Sequence, residues 1–147
     1  MNGKTCFFIG NRNTPRIIKQ RLVEVVEKHI TEYGVTNFIV GNYGDFDILV
    51  QSVLREVKKR YYDIKLYLLA PYALNQVINL PNNFDGTFYP EGMETVPKQF
   101  AIVNANRLQI KNSDYLITYC HNIGNTLKFI KYAQNREKKG LIKITLL

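Results

Sequence analysis

The chain has 147 residues, of which 46% are hydrophobic and 22% charged, a composition typical of one globular domain over residues 1–147. The formal net charge of +8 favours anionic partners, although the basic residues are spread along the chain rather than gathered in one block. No stretch approaches the ~20 apolar residues that span a bilayer, and the first ten residues do not form a signal peptide. We therefore expect a cytoplasmic protein without membrane contacts.

Apolar runs alternate with helical patterns along the first half of the chain. Residues 5–9 predict a buried strand, and the helix that follows, over 14–34, opens on Thr-Pro as N-cap and first helical residue. Residues 37–40 predict the second strand. The pattern over 46–61 predicts a second helix that has one apolar and one basic face.

The same alternation continues in the second half, after a long stretch over 72–96 that contains several breakers. The further predicted elements are strands at 65–69, 84–89 (an edge strand), 115–119 and 141–146, and helices at 97–112 and 125–138. Short apolar strands separated by helices are typical of a parallel sheet that is covered on both faces. We predict a three-layer Rossmann-like α/β domain with a mostly parallel sheet of five to six strands.

Ligands in such sheets bind at the carboxyl ends of the strands, so the loops after the strands are the candidate site. The loops at 10–14, 41–45 and 120–126 are rich in Gly and Asn, and each leads into a helix N-terminus, as in an anion-binding cradle. One such loop is also what an ordinary turn uses, but three at one sheet edge favour a pocket. Arg12 and Arg107 would bind phosphate there if they project into it.

The segment FIVGNYGDFD at 38–47 combines two glycines with two carboxylates. Gly41 and Gly44 predict a close approach of the backbone to a ligand. Asp45 is predicted as the N-cap of the second helix and Asp47 as a residue of its first turn, where the helix dipole favours negative charge. This turn would then face the sugar or base of a nucleotide rather than its phosphate.

No metal site is predicted, because the two cysteines and two histidines show no ligand spacing. Cys6 and Cys120 each lie in or at the end of an apolar run and are interpreted as small buried residues. We therefore predict that the protein requires no cofactor.

Four segments together resemble the SLOG superfamily, which includes LOG-type phosphoribohydrolases and DprA/Smf single-strand DNA-binding proteins. They are CFFIGNR, FIVGNYGDFD, the run from FDGTFY to SDYLITY, and GNT at a helix start. The similarity is greatest to the YpsA-like branch, and it implies a Rossmann-like fold, a nucleotide-like ligand and a homo-oligomer. The predicted ligand-binding residues are Gly10, Asn11, Arg12, Gly41, Asn42, Tyr43, Gly44, Asp47, Arg107, Gly124, Asn125 and Thr126, and the resemblance also marks Ser113 and Asp114.

The chain departs from this family at positions that matter for chemistry. Asn11 replaces a common histidine, Asp45 replaces a glycine, and Phe129 stands where LOG enzymes carry their catalytic glutamate. We therefore predict a protein that binds a nucleotide-derived molecule as a sensor or sequestering module.

Two alternatives stay open. One is an N-glycosidase of nucleoside monophosphates, for which the candidate acids are Asp45, Asp47, Glu91 and Glu94. The other is a single-strand nucleic-acid binder that would use the basic surface and the tyrosines.

Overall fold

The computed structural model describes residues 2–72, 80–121 and 124–147, with only the backbone at Asn125. In these residues the chain forms strands β1 (Lys4–Gly10), β2 (Val35–Val40), β3 (Lys65–Leu69), β4 (Gly86–Phe88), β5 (Tyr115–Tyr119) and β6 (Lys143–Leu146). The helices are α1 (Lys19–Thr31), α2 (Asp45–Lys58), α3 (Ala101–Lys111) and α4 (Asn125–Lys138). None of these helices is both long and apolar enough to cross a membrane. Residues 73–79 of the predicted stretch 72–96 lie outside the described residues, and so do residues 122–123 of the predicted loop 120–126.

The strands form one parallel sheet in the order β4-β3-β2-β1-β5-β6. The chain moves outward from β1 to β4 and then returns to the other side of β1, where β5 and β6 complete the sheet. Phe7 of β1 accordingly pairs with Ile39 of β2 and with Leu116 of β5. The predicted three-layer Rossmann-like fold is confirmed, and the reversal of strand order between β1 and β5 marks the usual ligand position of such sheets.

The core has two layers because successive side chains of a strand point to opposite faces of the sheet. Cys6 and Phe8 of β1 pack with α1 and α2 on one face. Phe7 and Ile9 pack with α3 and α4 on the other face. All four side chains are buried, so β1 is covered from both sides as its uninterrupted apolar run predicts.

Two helices begin later than their prolines predict. Pro15 and Pro97 each precede a short 3₁₀ turn, and α1 and α3 start only after that turn. Thr14 does not cap a helix; its hydroxyl donates to the carbonyl of Asn11 at 2.7 Å. Proline fixes φ and lacks an N–H, and both properties suit a tight turn ahead of a helix.

Some apolar residues in or next to the helices are exposed. Ile17 is 87% exposed, and Ile48, Phe100, Ile102 and Val103 also reach the surface. The buried residues of α3 are two alanines, two amide residues and one isoleucine, namely Ala101, Ala105, Asn106, Gln109 and Ile110. Of the buried residues of α3, Ile110 is the one with a large aliphatic side chain.

The Ser-Asp pair before β5 has a structural position at the amino edge of the sheet, away from the predicted binding loops. Ser113 donates from its hydroxyl to the carbonyl of Gln109 at 2.6 Å, which closes the end of α3. A carboxylate oxygen of Asp114 accepts the backbone N–H of Thr5 at 2.9 Å and so joins the start of β5 to β1. These contacts give both residues a role in the fold.

Candidate functional site

A cleft of about 130 Å³ lies over the carboxyl end of β1, at the reversal of strand order. The first turn of α2 borders it from one face of the sheet, while α3 and α4 border it from the other. Its lining residues are Phe8, Ile9, Gly10, Asn11, Arg12, Gly41, Tyr43, Gly44, Phe46, Asp47, Ile102, Val103, Asn106, Thr126 and Phe129. Eight of the twelve predicted ligand-binding residues therefore meet in one cavity: Gly10, Asn11, Arg12, Gly41, Tyr43, Gly44, Asp47 and Thr126.

Asn11 holds together the loops that follow β1 and β5. Its N–H donates to the carbonyl of Tyr119 at 3.0 Å, and its side-chain oxygen accepts the N–H of His121 at 2.8 Å. Its amide nitrogen also lies 3.9 Å from the sulfur of Cys120, which is partly exposed rather than buried as predicted. The side chain of Asn11 is thus occupied with positioning two loops, and it borders the cleft without being free to turn toward a ligand.

The glycines after β1 and β2 allow two loops to touch. A Cβ atom at Gly44 would lie 2.8 Å from the Cα of Arg12, and one at Gly10 would stand within 3.0 Å of ring atoms of Phe46. The N–H of Asp45 donates to the carbonyl of Arg12 at 2.8 Å across the same contact. The close approach that these glycines predict is therefore made to neighbouring protein atoms, and it forms one wall of the cleft.

The loop between β2 and α2 is fixed from the helix. Gln51 is buried, and its amide nitrogen donates to the carbonyl of Gly41 at 3.0 Å and to the side-chain oxygen of Asn42 at 3.2 Å. Asn42 is consequently turned away from the cleft and does not line it. The predicted role of Asp45 as N-cap is also wrong: α2 begins at Asp45 itself, and Gly44 occupies the capping position without a side-chain bond.

Asp47 is the one carboxylate that lines the cleft among the described residues. Its Oδ2 accepts the backbone N–H of Tyr43 at 3.0 Å, and a Cβ atom at Gly41 would lie 3.0 Å from the same oxygen. Burial raises the pKa of Asp47 to about 6, against the lowering effect of the hydrogen bond from Tyr43. Burial, followed by the proximity of Tyr72 and Asp47, raises the pKa of Tyr43 to about 12, so this phenol remains a hydrogen-bond donor at neutral pH.

The third side of the cleft comes from α3 and α4. Ile102 and Val103 contribute exposed aliphatic groups, and the buried amide of Asn106 donates to the carbonyl of Ile102 at 2.9 Å. The hydroxyl of Thr126 donates to the carbonyl of Gly10 at 3.3 Å, which joins the start of α4 to the end of β1. Phe129 places its ring in the cleft wall. Sequence reasoning missed the three α3 residues, since mid-helix residues of mixed polarity carry no loop signature.

The remaining predicted residues lie elsewhere. Gly124 has a positive φ of 145° and stands exposed before α4, with no atom within 4 Å of a Cβ placed there. The side chain of Asn125 lies outside the described part of the chain. Arg107 lines a smaller adjoining cavity, with its guanidinium carbon 4.6 Å from the ring centroid of Tyr132. Asp45 and Glu91 line two further cavities, so neither joins Asp47.

No group of three or more His, Cys, Asp or Glu residues that could hold a metal ion occurs in the described ranges. Comparison with protein-family models gives no match for this chain, and comparison with curated proteins gives none either. The SLOG resemblance therefore stays a prediction from sequence motifs, and the cleft has to be interpreted from its own chemistry.

Proposed function

We propose that this chain binds a nucleotide or nucleotide-derived small molecule in the cleft over β1, as a sensor or sequestering module of the SLOG type. The observation that carries the proposal is the composition of the cleft at the reversal of strand order. Apolar walls, one exposed arginine and one desolvated carboxylate converge there. This is the usual make-up of a small-molecule site, in which a few polar groups orient a ligand between apolar surfaces.

The lining residues suit the three parts of a nucleotide. Phe46, Ile102 and Phe129 offer apolar surface for a base. Arg12 offers a planar cation for a phosphate, and within the described ranges it has no carboxylate partner. Asp47 offers an acceptor for a ribose hydroxyl or a base N–H. A mononucleotide lying across the cleft would thus have its anionic end toward Arg12.

Asp47 also supports a functional site on energetic grounds. A carboxylate whose pKa is raised by burial disfavours folding when it is ionised at neutral pH. Its Oδ2 accepts the N–H of Tyr43, and a ligand donor would add a hydrogen bond to this carboxylate. Groups that are held in an unfavourable protonation environment inside a cleft are enriched at binding and catalytic sites.

Binding without turnover is favoured because Phe129 lines the cleft at the position where the resemblance expects a catalytic glutamate. A phenyl ring there can pack against a base but can neither give nor take a proton. The N-glycosidase alternative would have to use Asp47 as its acid, since the other candidate carboxylates do not line the cleft. Release of free base from nucleoside monophosphates by the purified protein would establish that alternative and overturn the binder.

The binding test uses isothermal titration with the four ribonucleoside monophosphates, supported by thermal shift. Arg12→Ala should weaken binding of the preferred nucleotide by about 10- to 100-fold, because a charge-assisted bond to phosphate is lost. Arg21→Ala, an exposed arginine on α1 away from the cleft, is the matched control and should bind like the parent protein.

Asp47→Asn should change the preference between ribose and deoxyribose nucleotides, whereas the exposed Asp63→Asn should not. The proposal is contradicted if no nucleotide shifts the melting temperature, or if Arg12→Ala and Arg21→Ala bind the nucleotide equally well.

A further inference from the structure

A second cavity continues the cleft along the seam between α3 and α4. It has a volume of about 100 Å³ and is lined by Val103, Arg107, Lys128, Phe129 and Tyr132. Val103 and Phe129 line both cavities, so the two spaces share one wall. Arg12 lines the first cavity and Arg107 lines the second, so each of the two neighbouring cavities has an arginine.

Arg107 is held in place by an aromatic ring rather than by an acid. Its guanidinium carbon lies 4.6 Å from the ring centroid of Tyr132, which is a cation–π distance. A cation–π contact does not use the N–H donors of a guanidinium, so these donors can still bind an anion. Lys128 is the second cation of this cavity, and both side chains are exposed.

Neither cation has a carboxylate partner in the described part of the chain. Other long cations do: Lys58 pairs with Asp85 at 2.6 Å, and Arg60 pairs with Glu27 at 2.7 Å. The lining of the second cavity contains no acid, and Asp47 is the one carboxylate that lines the first. The cavity thus contains two unneutralised cations and the apolar side chains of Val103 and Phe129. Such a lining suits an anionic group that is attached to an apolar or aromatic body.

We propose that this second cavity, with Arg107 and Lys128, binds a second phosphate-bearing half of the ligand, so that the chain recognises a dinucleotide in preference to a mononucleotide. This inference rests on the proposed function, since the first half occupies the cleft over β1. A mononucleotide whose phosphate contacts Arg12 leaves Arg107 and Lys128 unneutralised. A dinucleotide places one phosphate-linked unit on each side of the ridge formed by Val103 and Phe129.

The experiment measures the affinities of two ligand sizes for the same protein. Titration with AMP is compared with titration with diadenosine diphosphate and with 5′-phosphorylated diadenylate, and the series is repeated with the guanine counterparts. The parent protein should bind at least one dinucleotide about tenfold or more tightly than the mononucleotide of the same base. Arg107→Ala should remove that advantage and leave the mononucleotide affinity within about twofold of the parent value.

Two control variants separate charge from placement. Lys131→Ala removes an exposed cation of α4 that does not line the cavity, and it should retain the dinucleotide preference. Arg107→Lys keeps the charge but loses the planar stacked group, and it should retain only part of the preference.

The outcomes distinguish this inference from the proposed function. If mononucleotides bind but dinucleotides bind no better, or if Arg107→Ala weakens both classes equally, the second subsite is overturned and the nucleotide-binding function stands. If Arg12→Ala abolishes binding of both classes while Arg107→Ala selectively weakens dinucleotides, both conclusions hold. Absence of binding by either class overturns both.

Discussion

At the scale of single residues, the glycines of the site act through the protein itself. Gly10 makes room for the ring of Phe46, and Gly44 makes room for the backbone of Arg12. The sequence predicted a close approach of the backbone to a ligand at Gly44, whereas the atoms found there belong to Arg12, which the fold brings in. Gly44 has an extended backbone with φ of 178°, so its requirement is steric and does not concern its conformational freedom.

Gly44→Ala is therefore expected to destabilise the protein by about 1–3 kcal/mol, because a Cβ atom 2.8 Å from the Cα of Arg12 forces two backbone segments apart. The free energy of unfolding in urea measures the effect. Gly86→Ala is the control, since the nearest atom to a Cβ there is 4.0 Å away. Equal stability of the two variants would contradict the steric requirement for glycine at position 44.

At the scale of elements, local signals predicted the interior of the sheet well. The bounds of β3, β5 and α4 coincide with the prediction, because a short apolar run or a clear helical period ends there. Pro71 follows β3 closely and Gly140 follows α4. The β4 edge strand, Gly86–Phe88, is also confirmed. The α3 wall of the cleft was not predicted. A mid-helix residue such as Asn106 becomes part of the site only because the fold brings it near the end of β1.

The attachment of α2 to the loop before it gives a test at this scale. Gln51→Met keeps most of the side-chain volume but removes the hydrogen bonds to the carbonyl of Gly41 and to Asn42. We expect a loss of about 1–3 kcal/mol in the free energy of unfolding, since a buried carbonyl loses a donor. The same substitution at the exposed Gln20, Gln20→Met, should change stability by less than about 0.5 kcal/mol. A similar loss at both positions would contradict the assigned role of Gln51.

At the scale of the whole molecule, two groups oppose each other in the pH dependence of stability. His29 is 1% exposed and packs edge-on against the rings of Tyr33 and Tyr115. Burial lowers its pKa from 6.5, helped by the charges of Lys143 and Lys28 against the hydrogen bond to Val25. Asp47 has the opposite shift, because its pKa rises from 3.8 to about 6.

The signs of the two contributions follow from these shifts. A histidine with a lowered pKa stabilises the fold above pH 6.5, and that contribution is lost as the pH falls. A carboxyl with a raised pKa stabilises the fold below about pH 3.8, and that contribution is lost as the pH rises through 6. Over pH 7 to 5, acidification should therefore weaken the fold through His29 and strengthen it through Asp47.

Single variants should separate the two groups when unfolding in urea is followed between pH 7 and 5. His29→Gln should lose less stability on acidification than the parent protein does. Asp47→Asn should lose more. The free energies of unfolding of each variant and of the parent should diverge by at most about 1.4 kcal/mol per pH unit. Parallel stability curves for the parent and both variants would contradict the assigned protonation states.

The position of β1 in the sheet has a consequence for how the molecule forms. β1 is the first strand of this sequence, yet one of its two neighbours, β5, lies more than a hundred residues later, as the pairing of Cys6 with Tyr115 shows. During synthesis β1 can pair with β5 only after most of the chain has been made. The contact order of the sheet is correspondingly high. The cleft can be complete only when Thr126 and Phe129 lie at the end of β1. If the proposed nucleotide binds there, it would bind only chains that have completed the sheet, and its binding would shift newly made chains toward the native state.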